Sequence, residues 1–310
     1  MVSDAVVSHL LMDRSGRAEG VHYIDRVNHE QRDSYARAVV VAAGALESTR
    51  ILLNSQSSSH PQGVGNSEGA LGRYLMDHFT IEGAGGFIPS LRSSKREPVG
   101  RPCGFLIPKY VNVGDSRDGN SKFLRGYRFD GDGSQELYGH AFMMPEFGDA
   151  WRERVRSEIP FYFAIEAQGE CLPRWDNHVR LDPTRKDAWG IPVLHINASY
   201  GENEKAMAAA MRENITAILD EMKLAEMTPP KAELSIFGKN IHECGTARMG
   251  NDPKKSVVDR NCKVHDARNV FVTDGAVFVT QGCYEPTLTI MAISARAGEH
   301  IAETFRRGEL

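Results

Sequence analysis

Two short apolar runs near opposite ends of the chain constrain its fold most. The first, Ala38-Val39-Val40-Val41-Ala42-Ala43-Gly44, passes directly into Ala45 to Asn54, where Leu46, Ile51, Leu52 and Leu53 fall close to one helical face. The second, Asn269-Val270-Phe271-Val272-Thr273, ends at Asp274-Gly275, and a long helical pattern with Pro in its first turn runs from Pro286 to Phe305. A continuous apolar strand is expected where both sheet faces are covered, and strand, glycine, helix is the local grammar of a sheet layered with helices. Runs of this style at both ends predict one α/β domain assembled from the two ends of the chain.

The sequence between them reads differently. Ala5 to Leu11, a turn at Asp13-Arg14-Ser15-Gly16, and Gly20 to Val27 predict a hairpin. Gln56 to Gly69 is polar, rich in Ser and Gly, and predicts a loop. From Thr80 to Ala198 short alternating runs such as Phe161 to Glu166 and Val193 to Ile196 predict an antiparallel sheet. Met207, Met211, Ile215, Ile218 and Met222 recur at helical spacing and predict a helix over Glu202 to Met227, ended by Pro229-Pro230. The architecture expected is α/β with an α+β character, an antiparallel-sheet domain being inserted into the discontinuous one.

Composition narrows the partners. Net charge is −4 over 310 residues with both signs interspersed, so no basic field points to nucleic acid or anionic lipid. No apolar run reaches the roughly 20 residues a bilayer span needs. Met1 to Leu10 lacks the charged and apolar regions of a signal peptide. Cytoplasmic placement is the default. Cys103, Cys171, Cys244, Cys262 and Cys283 are scattered without C-x-x-C spacing, which predicts neither a metal site nor a disulfide framework.

Three local patterns mislead. Gly65-Asn66-Ser67-Glu68-Gly69 has the G-x-S-x-G form of a nucleophile elbow, but no strand precedes it, as that chemistry requires. Asp130-Gly131-Asp132-Gly133-Ser134 opens like a calcium loop, yet Gln135 and Ala141 stand where Gly and a bidentate Glu belong; a turn between strands is expected instead. No G-x-G-x-x-G occurs, so the chain lacks the phosphate-cradling turn of a self-sufficient dinucleotide binder.

The most specific stretch runs from His242 to Glu285. It contains His242-Glu243-Cys244-Gly245-Thr246-Ala247-Arg248-Met249-Gly250, then Asp252-Pro253, Ser256-Val257-Val258-Asp259 and Asp274-Gly275. It closes with Glu285-Pro286-Thr287-Leu288-Thr289-Ile290. Upstream stand Gly44-Ala45-Leu46-Glu47-Ser48, Gly65-Asn66, Gly72-Arg73-Tyr74-Leu75-Met76-Asp77-His78, Asn177-His178-Val179-Arg180-Leu181 and Asp187-Ala188-Trp189-Gly190-Ile191-Pro192. In this order and register they resemble the glucose–methanol–choline (GMC) oxidoreductase family, with the bacterial members that oxidise sugars and sugar acids nearest.

The resemblance implies part of an FAD-binding Rossmann-like domain over 1–75, a substrate-binding domain over 76–235, and a return to the FAD-binding domain over 236–310. It implies FAD as cofactor and hydride transfer from the CH–OH group of a small alcohol, sugar or sugar acid. The family's glycine-rich segment would stand ahead of Met1, which accounts for the missing G-x-G-x-x-G. A fragment, one half of a split enzyme paired with an amino-terminal FAD-binding segment, and a remnant that binds no flavin are the readings left open. So is an electron-acceptor partner.

By the same resemblance His242 is the catalytic base or hydrogen-bond partner of the substrate hydroxyl, a task suited to an imidazole near neutral pH. Glu285 replaces the Asn or His usual at the second catalytic position. Its carboxylate is expected to act on His242, to donate a hydrogen bond if protonated, or to mark altered activity. Pro286 and Thr287 open a helix whose N-terminus is expected at the flavin's pyrimidine edge. Asp274 and Gly275 correspond to contacts near the ribityl and pyrophosphate. Gly44 and Ala45 are small either for cofactor approach or for strand–helix packing. Asn66 is placed near the flavin, His78 is either structural or part of the site, and Arg248 and Met249 support the His242 loop. No metal site is expected.

Overall fold

A computed structural model describes residues 1–91, 104–114, 122–135, 141–142, 144–157 and 161–310; Cys103 lies outside them. The anticipated hairpin is present as β1 (Ala5–Met12) and β2 (Ala18–Asp25), paired antiparallel. A third strand, β3 (Gln31–Tyr35), adds to β2. Its sequence, Gln-Arg-Asp-Ser-Tyr, is exposed throughout and so carries no apolar alternation by which to anticipate it.

Next come β4 (Val39–Val41) and α1 (Ala45–Asn54). From the other end of the chain, β12 (Val270–Val272) pairs with β4 in parallel, Val270 opposite Val39 and Val272 opposite Val41. The two apolar runs therefore meet in one sheet. Only one expectation about them fails: Val40 is 48% exposed, so β4 is not covered on both faces.

The inserted region is built on a five-stranded antiparallel sheet in the order β11-β5-β8-β7-β6, comprising β5 (Phe79–Phe87), β6 (Gly104–Ile107), β7 (Tyr127–Gln135), β8 (Phe161–Gly169) and β11 (Ala225–Thr228). Asp130 to Gln135 belongs to β7 and is not the turn expected there. Gly131 permits this, because a Cβ at that position would collide with the Ala164 carbonyl of β8. Helix α2 (Gly148–Ser157) precedes β8. A separate antiparallel pair, β9 (His178–Lys186) and β10 (Pro192–Asn197), follows it.

The long amphipathic helix α3 (Glu202–Met222) ends five residues sooner than its pattern suggests. Lys223 takes a left-handed conformation, and Ala225 to Thr228 leave the helix to pair with β5. Sheet-edge pairing outcompetes the last helical turn. Final helix α4 (Thr287–Arg306) matches its expected extent.

Two apolar cores result. One gathers Leu10, Ala18, Val39, Val41, Leu52, Val264, Val270, Val272 and Ala297, drawn from both chain ends. The other is formed where Phe79, Ile81, Tyr127, Phe129, Ile165 and Ala167 meet Met207, Met211, Ile215 and Leu219 of α3. Strand alternation then fixes what the opposite sheet face presents: Thr80 and Glu82 of β5, Arg128 and Asp130 of β7, Glu166 and Gln168 of β8.

Candidate active site

The site grows from a short antiparallel contact. Met76 and Cys244 exchange backbone hydrogen bonds of 2.9 and 3.0 Å. Two residues further along each strand, that register sets His78 opposite His242. Their rings meet edge to face, with 3.0 Å between the two Nδ1 atoms. Gly245 turns the chain immediately after at φ 98°, where a Cβ would strike the Tyr74 carbonyl.

Asp77 holds the segment leading into His242. Its Oδ1 accepts from the His242 N–H at 3.0 Å, and its Oδ2 accepts from Gly238 N at 2.9 Å and Asn240 N at 3.3 Å. Burial pushes the Asp77 carboxyl up, and these three N–H donors oppose that push. Ile241 adopts φ 52°, a costly conformation for a β-branched residue, so this network holds the chain in it. From the other side, Gln281 Nε2 donates to the His242 carbonyl at 2.6 Å; its Oε1 is buried without a partner among the described residues.

The segment before α4 is clamped against the polar face of the sheet. His78 Nε2 lies 3.0 Å from the Gly282 carbonyl. Arg128 Nε at 2.9 Å and Gln168 Nε2 at 3.2 Å both donate to the Cys283 carbonyl. Arg128, only 3% exposed, also forms an ion pair with Glu285 and lies 3.5 Å from Asp130. Glu285 thus faces Arg128, a partner that sequence reasoning had not weighed. Burial and the nearby Glu285 push Asp130 up against the pull of Arg128. Glu166, its direct cross-strand neighbour, is raised by burial, Asp130 and Glu82.

The N-terminus of α4 is left open. Pro286 is its buried N-cap residue and provides no side-chain cap, while Thr287, Leu288 and Thr289 are exposed. Their N–H groups lie ahead of the first intrahelical bond, Ile290 N to Pro286 O, and carry the helix's partial positive charge.

A second group lies across β4 and β12. The buried Asp274 carboxylate accepts from Gly44 N at 3.1 Å, from Ala276 N at 2.9 Å and from Ser48 Oγ. Burial raises it, and these donors counter the effect. Ala42, Ala43 and Gly44 form an exposed crest; Gly44 has φ 86°, and a Cβ there would meet nothing within 4 Å. Packing therefore does not explain Gly44. Ala45 is buried and its carbonyl accepts from Thr246 Oγ1 at 2.8 Å, which the packing reading does explain. Gly275 connects the two groups, its carbonyl accepting from Gly245 N at 3.0 Å.

Asn66 belongs to neither group by hydrogen bonding. Its amide donates to Gln62 O at 3.0 Å, its Oδ1 is buried without a partner among the described residues, and Asp266 holds the backbone on both sides of it. Arg248 stacks over Tyr74, and Met249 N donates to Val277 O. No helix among the described residues is long and apolar enough to cross a membrane, and no cluster of metal-ligating side chains occurs among them.

Two family models described as GMC oxidoreductase match the chain, one over residues 1–80 and the other over 173–294. The chain belongs to the GMC oxidoreductase family. It is 31% identical over 94% of its length to 2-methyl-1,2-propanediol dehydrogenase of Mycolicibacterium austroafricanum, covering 52% of that protein. It is 30% identical over 99% of its length to the fructose dehydrogenase large subunit of Gluconobacter japonicus, covering 55%. This GMC chain therefore spans about half the length of these curated relatives. In fold it is similar to formate oxidase, with a TM-score of 0.65 at 16% identity, covering 98% of this chain and 60% of that one. It is also similar to pyridoxine 4-oxidase from Mesorbium loti, with a TM-score of 0.59 at 16% identity, covering 98% and 57%.

Proposed function

We propose that this chain is the substrate-binding and active-site portion of an FAD-dependent oxidoreductase acting on the CH–OH group of an alcohol, sugar or sugar acid. One observation carries the reading. His242, the open N-terminus of α4 and the polar face of the five-stranded sheet converge, joined through His78, Gly282 and Arg128. The named relatives that oxidise a diol and a sugar support the substrate class.

The residues present fit a flavin. The exposed crest at Ala42 to Gly44, the uncapped start of α4 at Pro286 and Thr287, and the unpartnered Gln281 Oε1 are features that a bound group would explain. Gly44, Asp274, Gly275, Pro286 and Thr287 would hold it, with Ala45 behind them. Asn66, whose orphaned Oδ1 is the matching observation on the other loop, is placed with them. When bound, the flavin supplies the hydride acceptor. The chain's own residues do the rest. His242 takes the hydroxyl proton, Arg128 fixes Glu285 beside the site, and the first-turn N–H groups of α4 favour negative charge in front of them.

We keep the divisions 1–75, 76–235 and 236–310 as a proposal; the second core lies wholly within 76–235, while the first also takes in Met76 and Cys171. The first and third units together lack a cover. Val40 is half exposed at the centre of a two-stranded parallel sheet, an arrangement normally buried on both faces. Leu288, Met291, Ala292 and Ala295 form an exposed apolar stripe on α4. A glycine-rich FAD-binding segment, in the same polypeptide or as a partner chain, is the occupant we assign to this surface.

Co-purification with such a segment should give a flavin absorption spectrum and alcohol or sugar oxidation. His242→Ala should then lower turnover by roughly 10²–10⁴-fold, the usual worth of a positioned acid–base group, with the spectrum kept. Failure to bind FAD with the segment supplied would favour the non-catalytic reading; full activity of His242→Ala would remove His242 from its role.

A further inference from the structure

The hydrogen bonds around His78 determine which nitrogen of His242 carries its proton. His78 is fully buried, with Nε2 3.0 Å from the Gly282 carbonyl and Nδ1 3.0 Å from His242 Nδ1. A carbonyl only accepts, so Nε2 of His78 must hold a hydrogen. A neutral imidazole has one N–H, which leaves the Nδ1 of His78 as an acceptor. His242 must then donate from its own Nδ1, and its Nε2 carries the lone pair. That Nε2 has no hydrogen-bond partner among the described residues, and the His242 side chain is only partly buried.

The alternative protonation of His78 is disfavoured. Burial pushes its pKa down to about 3, and the nearby His242 and Arg128 push the same way, against the opposing Gly282 hydrogen bond. Its backbone is also fixed, since its carbonyl accepts from Asn240 Nδ2 at 2.6 Å and Tyr200 OH at 2.8 Å.

We propose that His78 is a positioning residue that locks His242 in the Nδ1–H tautomer, so that Nε2 of His242 is the atom that accepts the substrate's hydroxyl proton. The tautomer assignment stands on geometry alone; its catalytic consequence rests on the function proposed above. His78 acts as a fixed neutral acceptor and not as a relay. When Nε2 of His242 gains a proton, the Nδ1–H···Nδ1 bond becomes charge-assisted and strengthens. Proton passage onward would require a charged imidazole at a fully buried position. Deprotonation of the product state therefore occurs at Nε2 of His242 as well.

The test reads the tautomer directly. The 310-residue chain, labelled with ¹⁵N-histidine, is studied by long-range ¹H–¹⁵N correlation at pH 8, with His78→Asn and His242→Gln spectra assigning the two rings. The expected result is a protonated Nδ1 and bare Nε2 on His242, with the reverse on His78. A His242 ring protonated at Nε2 would overturn the proposal. Asparagine places an acceptor where Nδ1 of His78 stands, so His78→Asn should keep the His242 tautomer, whereas His78→Phe should shift it towards Nε2–H. In the flavin-loaded enzyme His78→Phe should lower kcat by about 10-fold or more with KM little changed, and His78→Asn should restore most of it. Equal kcat losses in both variants would make His78 merely structural. The correct tautomer in an enzyme that oxidises no CH–OH substrate would sink the function reading alone.

Discussion

The two long helices, α3 and α4, occupy opposite situations. Helix α3 lays Met207, Met211, Ile215 and Leu219 on the five-stranded sheet, and these side chains are essentially inaccessible. Helix α4 buries only Ala297 and Thr304, while Leu288 is 77% and Met291 62% exposed. Both helices are about twenty residues long, so length does not explain the contrast. The sheet behind α3 has five strands with a continuous apolar face; α4 stands beside a two-stranded parallel ribbon. The inserted unit completes its own core. The unit built from both chain ends presents an exposed apolar surface, the one to which the proposed FAD-binding segment is assigned.

The largest expected effect lies in the closed half. Ile215→Ala should cost about 2–5 kcal/mol, because a fully buried branched side chain leaves a cavity between helix and sheet. Denaturant unfolding measures it. A cost below 1 kcal/mol would mean that this core is not the tightly packed unit described.

At the seam between the halves, Arg128→Leu should destabilise by about 2–3 kcal/mol. It leaves the Cys283 carbonyl with Gln168 alone and Glu285 without its cation. The half-exposed Glu285 can be rehydrated, which keeps the cost below that of a fully buried pair. The same variant should free the Cys283–Glu285 segment, read as faster amide exchange at the start of α4, while α3 is unaffected.

Much of this fold was legible in the sequence, and the failures are physical. Hairpin, α1, the two apolar strands and α4 follow from local pattern. The true end of α3 was hidden because sheet pairing, a long-range term, took Ala225 to Thr228. Strand β3 was invisible because it is polar on both faces. In the site, His242 and Glu285 came from a motif, whereas Arg128 and Gln168 did not. Their signal was present: Tyr127-Arg128-Phe129-Asp130 alternates apolar and polar, placing Arg128 opposite the core. Only the cross-strand register reveals that Gln168 stands beside it and that both reach Cys283. Asp77 and Gln281 act through backbone groups, which motif reading does not weigh.

His78 gives a pH-dependent effect of about 2 kcal/mol. Its folded pKa lies below its unfolded one, so the unfolded chain binds more protons between about 6.5 and 3. Its contribution is whole above pH 6.5 and is lost as pH falls, by about 2 kcal/mol on reaching pH 5. Asp77, Asp130, Glu166 and Asp274, all raised by burial, change stability in the opposite sense. The measurement is therefore the difference between wild type and His78→Asn in unfolding free energy from pH 7 to 5. Parallel curves would show that His78 is not held neutral at the seam.

The smallest effect concerns the open half. Leu288→Ser replaces a side chain that is three-quarters exposed and should change the stability of this chain by less than about 0.5 kcal/mol. The same substitution should weaken association with the glycine-rich segment, since a leucine buried at an interface contributes roughly 1.5–3 kcal/mol of transfer energy. Titration calorimetry of the segment against the two chains gives that comparison. Met291→Ser, one turn along the same stripe, should repeat it. If both substitutions leave affinity unchanged, the stripe on α4 is not the covered surface, and the contrast between the two helices would need another cause.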